Sequence, residues 1–123
     1  TYNANLGSVK AAIDVLQQCQ GQRCFMLGDL GELGQQELQL HQRIGTQVAA
    51  AGIEQFYAFG ELAAAAVDSY LRAGGNYGKI CVNKQELSSC FEQLPKVDLS
   101  CLVKGSRSSQ MEQVVETLIS DGI

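Results

Sequence analysis

The chain has 123 residues, 46% of them apolar and 18% charged, with a single proline. That is enough for one compact domain with its own hydrophobic core, and it is the composition of a folded domain rather than a disordered tail. The formal net charge of -4 argues against a nucleic-acid partner, whose phosphates call for clustered Lys and Arg. No apolar stretch approaches the ~20 residues of a membrane helix and the opening residues are polar, so a soluble, cytoplasmic protein with no membrane partner is expected.

In chain order, Ser8 is placed to cap a first helix whose Val9, Ala12, Ile13 and Leu16 recur at helical spacing, and Gly21 closes the turn after it. Residues 23–27 form a short apolar run that ends in Gly28 and Asp29, where the chain must turn out of a sheet. A helix is expected over residues 35–51, with Leu40, Ile44 and Val48 on one face and Gly52 as its stop. Residues 55–59 read as a second strand, and 61–72 as a helix whose alanine run permits close packing. After a turn rich in glycine, residues 79–82 are the third strand. Asn83 with Glu86 then begins a helix in the manner of a capping box, ending near Pro95. Residues 99–103 are the fourth strand. Met111, Val114, Val115, Leu118 and Ile119 give a last helix an apolar stripe that belongs in the core. Alternation of helix and strand from end to end predicts an α/β domain, with a mostly parallel sheet flanked by helices in three layers.

Cys19, Cys24, Cys81, Cys90 and Cys101 are odd in number and form no CxxC pair. They are expected to be reduced, packed thiols. His41 falls mid-helix near the apolar face with no second His or Cys spaced to help it, which fits a satisfied structural group better than a metal ligand. No metal site is expected in the chain.

Ligands of parallel α/β sheets gather beyond the carboxyl ends of the strands, where loops and helix N-termini present free N–H groups. Two loops at that edge stand out. The first, residues 28–34, combines three glycines with Asp29 and Glu32, which suit an amine, a ribose or a hydrated cation, or else a helix N-terminus. The second, residues 104–109, sets Lys104 and Arg107 among Ser106, Ser108 and Ser109 just before a helix; it suits a carboxylate or phosphate, or is a solvated helix start. At the opening, Tyr2, Asn3 and Asn5 offer a phenol and two amides to a purine or ribose, or to ordinary turn chemistry. No GxxxxGK[ST] phosphate loop is present, so any ATP grip must come from outside the chain.

Taken together and in order, Tyr2-Asn3-Ala4-Asn5 with Ser8, Leu27-Gly28-Asp29 with Glu32-Leu33-Gly34 and His41, and Leu102 to Ser108 with Met111-Glu112 resemble the C-terminal domain of the Mur ligase family. The resemblance covers essentially the whole chain. It departs from the family pattern at Leu6, where a proline is usual, which loosens the turn before the first helix. An aspartate that the family usually has just before the position of Thr1 falls outside the sequence, which is expected to be part of a longer protein.

The resemblance implies a Rossmann-like domain of a three-domain, ATP-dependent amide ligase. Its partners would be ATP, a UDP-N-acetylmuramoyl-tripeptide, D-alanyl-D-alanine and the enzyme's own N-terminal and central domains, the central one holding most of the ATP and Mg2+ contacts. By motif match, Tyr2, Asn3 and Asn5 would face the nucleotide, and Asp29, Glu32, Lys104, Ser106 and Arg107 the dipeptide or an acyl phosphate; no catalytic residue is assigned. Alternatives are another Mur-type ligase with a different acceptor, a stand-alone receiver-like signalling module, and a domain of purely structural or partner-binding duty. The Tyr-Asn-Ala-Asn opening speaks against the first. The second needs an acidic pair after the first strand, which the order of elements does not supply.

Overall fold

The structure, a computed structural model, describes residues 6–30, 34–95 and 97–105. Its elements are α1 (Leu6–Gln18), β1 (Gln22–Gly28), a 3-10 turn (Gly34–Gln36), α2 (Glu37–Ala50), β2 (Gln55–Phe59), α3 (Glu61–Arg72), β3 (Gly78–Cys81), α4 (Lys84–Gln93) and β4 (Leu99–Lys104). The described strands pair in parallel in the order β3-β2-β1-β4, as the alternating pattern predicts. The expected last helix lies outside the described residues.

One expected cap is corrected. Ser8 is already inside α1, which begins at Leu6; first-turn N–H groups have no intrahelical partner in any case, so the helix takes in Leu6 and Gly7 without losing a hydrogen bond. The start of α4 follows the expected chemistry more closely. Asn83 Oδ1 accepts from the Glu86 N–H at 2.8 Å, and Glu86 Oε1 accepts in return from the Val82 N–H at 2.8 Å, one residue earlier than in the usual reciprocal pair.

Strand alternation sorts the core into two layers. Phe25 and Leu27 of β1 and Phe56 and Ala58 of β2 meet α1, α2 and α3 on one face. Phe25 and Phe56 stack with centroids 5.4 Å apart, and Tyr70 of α3 meets Phe56 edge-on at 5.3 Å. The Tyr70 hydroxyl, carried into this apolar layer, donates to the Ile53 carbonyl at 2.7 Å. On the other face Cys24, Met26, Tyr57, Cys101 and Val103 pack with Leu87 and Phe91 of α4. Helices α2 and α3 lie in close contact: a Cβ on Gly45 of α2 would collide with the Ala66 carbonyl of α3.

All five cysteines are free thiols. Cys24 and Cys101 are register partners on β1 and β4; a hydrogen bond from that neighbour, then burial, pushes the Cys24 thiol well up, and burial pushes Cys81 up to about 12. Thiolate is the reactive form. In the folded protein at pH 8, iodoacetamide should therefore modify the partly exposed Cys19 and Cys90 at least ten-fold faster than Cys24 or Cys81, with all five reacting once the chain is unfolded; mass spectrometry of timed aliquots checks this.

The amino edge of the sheet is tied by one guanidinium. Arg23 Nε and Nη2 donate to the two oxygens of Glu54 at 3.0 and 2.9 Å, and the Arg23 backbone N–H adds a third bond to the same carboxylate at 3.0 Å. Nη1 reaches the Gln17 carbonyl at the end of α1, and Nη2 the Gly52 carbonyl after α2. These hydrogen bonds from Arg23 hold the Glu54 carboxyl below the usual carboxylate range and raise the Arg23 guanidinium. Because the Glu54 value is depressed on folding, its stabilisation is complete above the unfolded value of about 4.3 and is lost as pH falls through the folded value. Arg23→Ala should cost about 2 kcal/mol at pH 7. On lowering the pH from 5 to 3, the melting temperature of the wild type should fall more steeply than that of Glu54→Gln, which has no such proton to take up.

Candidate functional site at the carboxyl edge of the sheet

After β1 the chain crosses to the face of α1–α3, whereas β4 is reached from α4 on the opposite face. The β1/β4 boundary is therefore the point where the winding reverses, and open α/β sheets form their ligand crevice at such a point. Both loops singled out in the sequence leave from this point: Leu27 and Lys104 are register partners, so Gly28-Asp29 and Lys104-Gly105 emerge side by side. The sequence puts both polar loops at this edge. Strand order makes them neighbours.

Asp29 is drawn across the sheet edge. Its Oδ1 accepts from the Ala63 N–H at 2.8 Å, the third residue of α3, and so caps that helix. The residue at the N-cap itself, Gly60, has φ 116° and no side chain to offer, and a Cβ there would run into the Asp29 carboxylate. The sequence reading had Asp29 favouring the helix that follows it; the helix it caps lies 34 residues on. The signal that could have found this is Gly60 itself, a helix start with no cap of its own at the end of a neighbouring strand.

His41 is 0% exposed, the buried polar side chain among the described residues. Its Nε2 accepts from the Leu30 N–H at 3.0 Å, and Nδ1 lies 2.7 Å from the Glu37 carbonyl. Facing a donor on one side and a carbonyl on the other, the ring is the neutral tautomer with its proton on Nδ1. This is the satisfied structural histidine expected. Among the described residues no group of three His, Cys, Asp or Glu side chains is arranged to hold a metal ion.

Lys104 is half-buried and forms one end of a largely apolar groove of about 590 Å3 between α1 and β4, with Val15, Cys19 and Leu102 among its walls. Of the other expected site residues, Tyr2, Asn3, Asn5, Glu32, Ser106 and Arg107 lie outside the described residues.

Residues 1–107 match the family model described as Mur ligase, glutamate ligase domain. The chain belongs to this family. It is 36% identical over 123 residues to the UDP-N-acetylmuramoyl-tripeptide--D-alanyl-D-alanine ligase of Buchnera aphidicola subsp. Acyrthosiphon pisum, covering 98% of this chain and 26% of the relative. A crystal structure of MurF from Acinetobacter baumannii superposes with a TM-score of 0.79 at 31% identity, over 98% of this chain and 27% of that one. The MurF ligase of Thermotoga maritima in complex with ADP, at 20% identity and a TM-score of 0.74 over 98% and 27%, shares the fold. The chain thus spans about a quarter of the length of the relatives it matches. Membership in the Mur ligase family sets aside the receiver-like alternative, and no described helix is long and apolar enough to cross a membrane.

The cap on α3 gives a direct test. Asp29→Ala should lower stability by about 1–2 kcal/mol, and Asp29→Asn, which keeps an acceptor oxygen, should recover most of it. Gly60→Ala should be worse than Asp29→Asn, since it meets both the positive φ and the carboxylate. Urea midpoints at constant slope would rank the three.

Proposed function

We propose that the chain is the C-terminal domain of a cytoplasmic, ATP-dependent amide ligase that joins D-alanyl-D-alanine to UDP-N-acetylmuramoyl-tripeptide. The observation that carries this reading is the likeness over 98% of the chain to ligases of that name, combined with the pairing of Leu27 with Lys104 at the winding reversal, which brings the segment of Asp29 and the end of β4 side by side. ATP transfers its terminal phosphoryl group to the tripeptide carboxylate. The amine of D-alanyl-D-alanine then attacks the acyl phosphate, the amide bond forms, and phosphate leaves. Excluding water protects the acyl phosphate from hydrolysis.

In this scheme Tyr2, Asn3 and Asn5 contact the nucleotide, while Asp29, Glu32, Lys104, Ser106 and Arg107 serve the dipeptide or the acyl phosphate. ATP and Mg2+ are held mainly by the central domain, and closure over them is this domain's contribution. Asp29 already gives one oxygen to α3, so its share is to hold the rim; Lys104 and Arg107 supply positive charge in a chain whose net charge is -4.

The chain by itself should show no ligation, because it carries no phosphate loop. Within the full-length enzyme, Arg107→Ala and Lys104→Ala should each lower kcat/KM for the dipeptide or the tripeptide about ten-fold or more, the scale of a charge-assisted hydrogen bond of about 1.5–3 kcal/mol. Arg107→Lys should recover part of the loss. Steady-state kinetics beside thermal unfolding decide the matter: kinetic constants within two-fold of wild type with a lowered melting temperature would return Arg107 to the role of a solvated helix start and leave Lys104 as the end of β4.

A further inference from the structure

We infer that His41 is a positioning residue for the acceptor side of the crevice, acting through the backbone N–H of Leu30. The inference rests on the ligase reading and adds to it a residue that touches no substrate.

Leu30 follows Asp29 directly, and the two are fastened to different helices. The Asp29 side chain bonds the N-terminus of α3, and one residue later the Leu30 N–H bonds the His41 ring on α2. Leu30 is itself buried, at 1% exposure, in the layer shared by α1, α2 and α3. Its N–H therefore has no water to fall back on, and the imidazole is its acceptor. The Glu37 carbonyl, one helical turn before His41, takes the Nδ1 proton and fixes both ring orientation and tautomer. A buried apolar side chain would fill the same volume, but it would leave the Leu30 N–H without a partner. The polar ring is explained by what it does for the segment Gly28–Leu30, which leaves β1 beside Lys104. With the Leu30 amide held, the direction in which the chain leaves the sheet at the crevice is set.

The test separates the two nitrogens. In the full-length enzyme, His41→Gln can place an amide oxygen near the Nε2 position and keep an acceptor for Leu30; His41→Asn is too short for that and can serve only Glu37; His41→Met keeps volume alone. The Leu30 amide should exchange with deuterium at least ten-fold faster in the Asn and Met variants than in wild type or Gln, with Phe25–Leu27 of β1 unchanged. KM for D-alanyl-D-alanine should rise about ten-fold in the Asn and Met variants and stay within three-fold in Gln, while KM for ATP holds within two-fold in all three. Equal exchange at Leu30 in the Gln and Asn variants overturns the inference, and so does equal KM for the dipeptide. If the wild-type full-length protein fails to join the dipeptide to the tripeptide, the ligase reading falls; Leu30 exchange then still decides whether His41 anchors this segment.

Discussion

Between Cys24 and Leu27 four consecutive side chains are 0% exposed, so β1 has to have a layer of structure on each face and a strand on each side. At roughly 1.5–3 kcal/mol for each large apolar side chain taken out of water, this run is the strongest local demand the sequence makes. Parallel neighbours meet it in the plane of the sheet, β2 on one side and β4 on the other. Helices α1, α2 and α3 meet it on one face, where Phe25 and Leu27 point, and α4 belongs to the layer on the other. A strand buried in this way cannot continue into solvent as it is. It ends in Gly28, and the polar residues that follow are delivered to the carboxyl edge beside β4.

How far this was legible in the sequence depends on the range of the interaction. The strand over 55–59 and the helix over 61–72 have the bounds expected from apolar periodicity and the flanking Gly60, because both signals are local. The Asn83–Glu86 start of α4 was readable for the same reason. Ser8 misled because Ser is favoured at a cap and is also tolerated in a first turn, and nothing in its immediate neighbours separates the two.

The bonds that shape the site are of another kind. Arg23 to Glu54 spans 31 residues and Asp29 to Ala63 spans 34; each depends on which strands lie side by side, and a pattern of apolar residues does not state strand order. The same holds for the pairing of Leu27 with Lys104. Asp29 and Lys104 were visible as strand-end residues, but their adjacency follows from β4 being placed next to β1. His41 was readable as a satisfied group from its place on an apolar face, whereas its partner at Leu30 appears once the end of β1 is set against α2.

The contact at Gly45 carries a mechanical consequence. With the backbone of α3 seated where a side chain of α2 would otherwise stand, the two helices cannot slide past each other without prising apart their closest point. Asp29 is fastened to one of them and Leu30 to the other, so both anchors of the crevice ride on a single stiff slab. A force applied at the crevice is passed through that slab to the whole sheet and is not absorbed at the rim. Any swing of this edge would thus turn the slab as one lever.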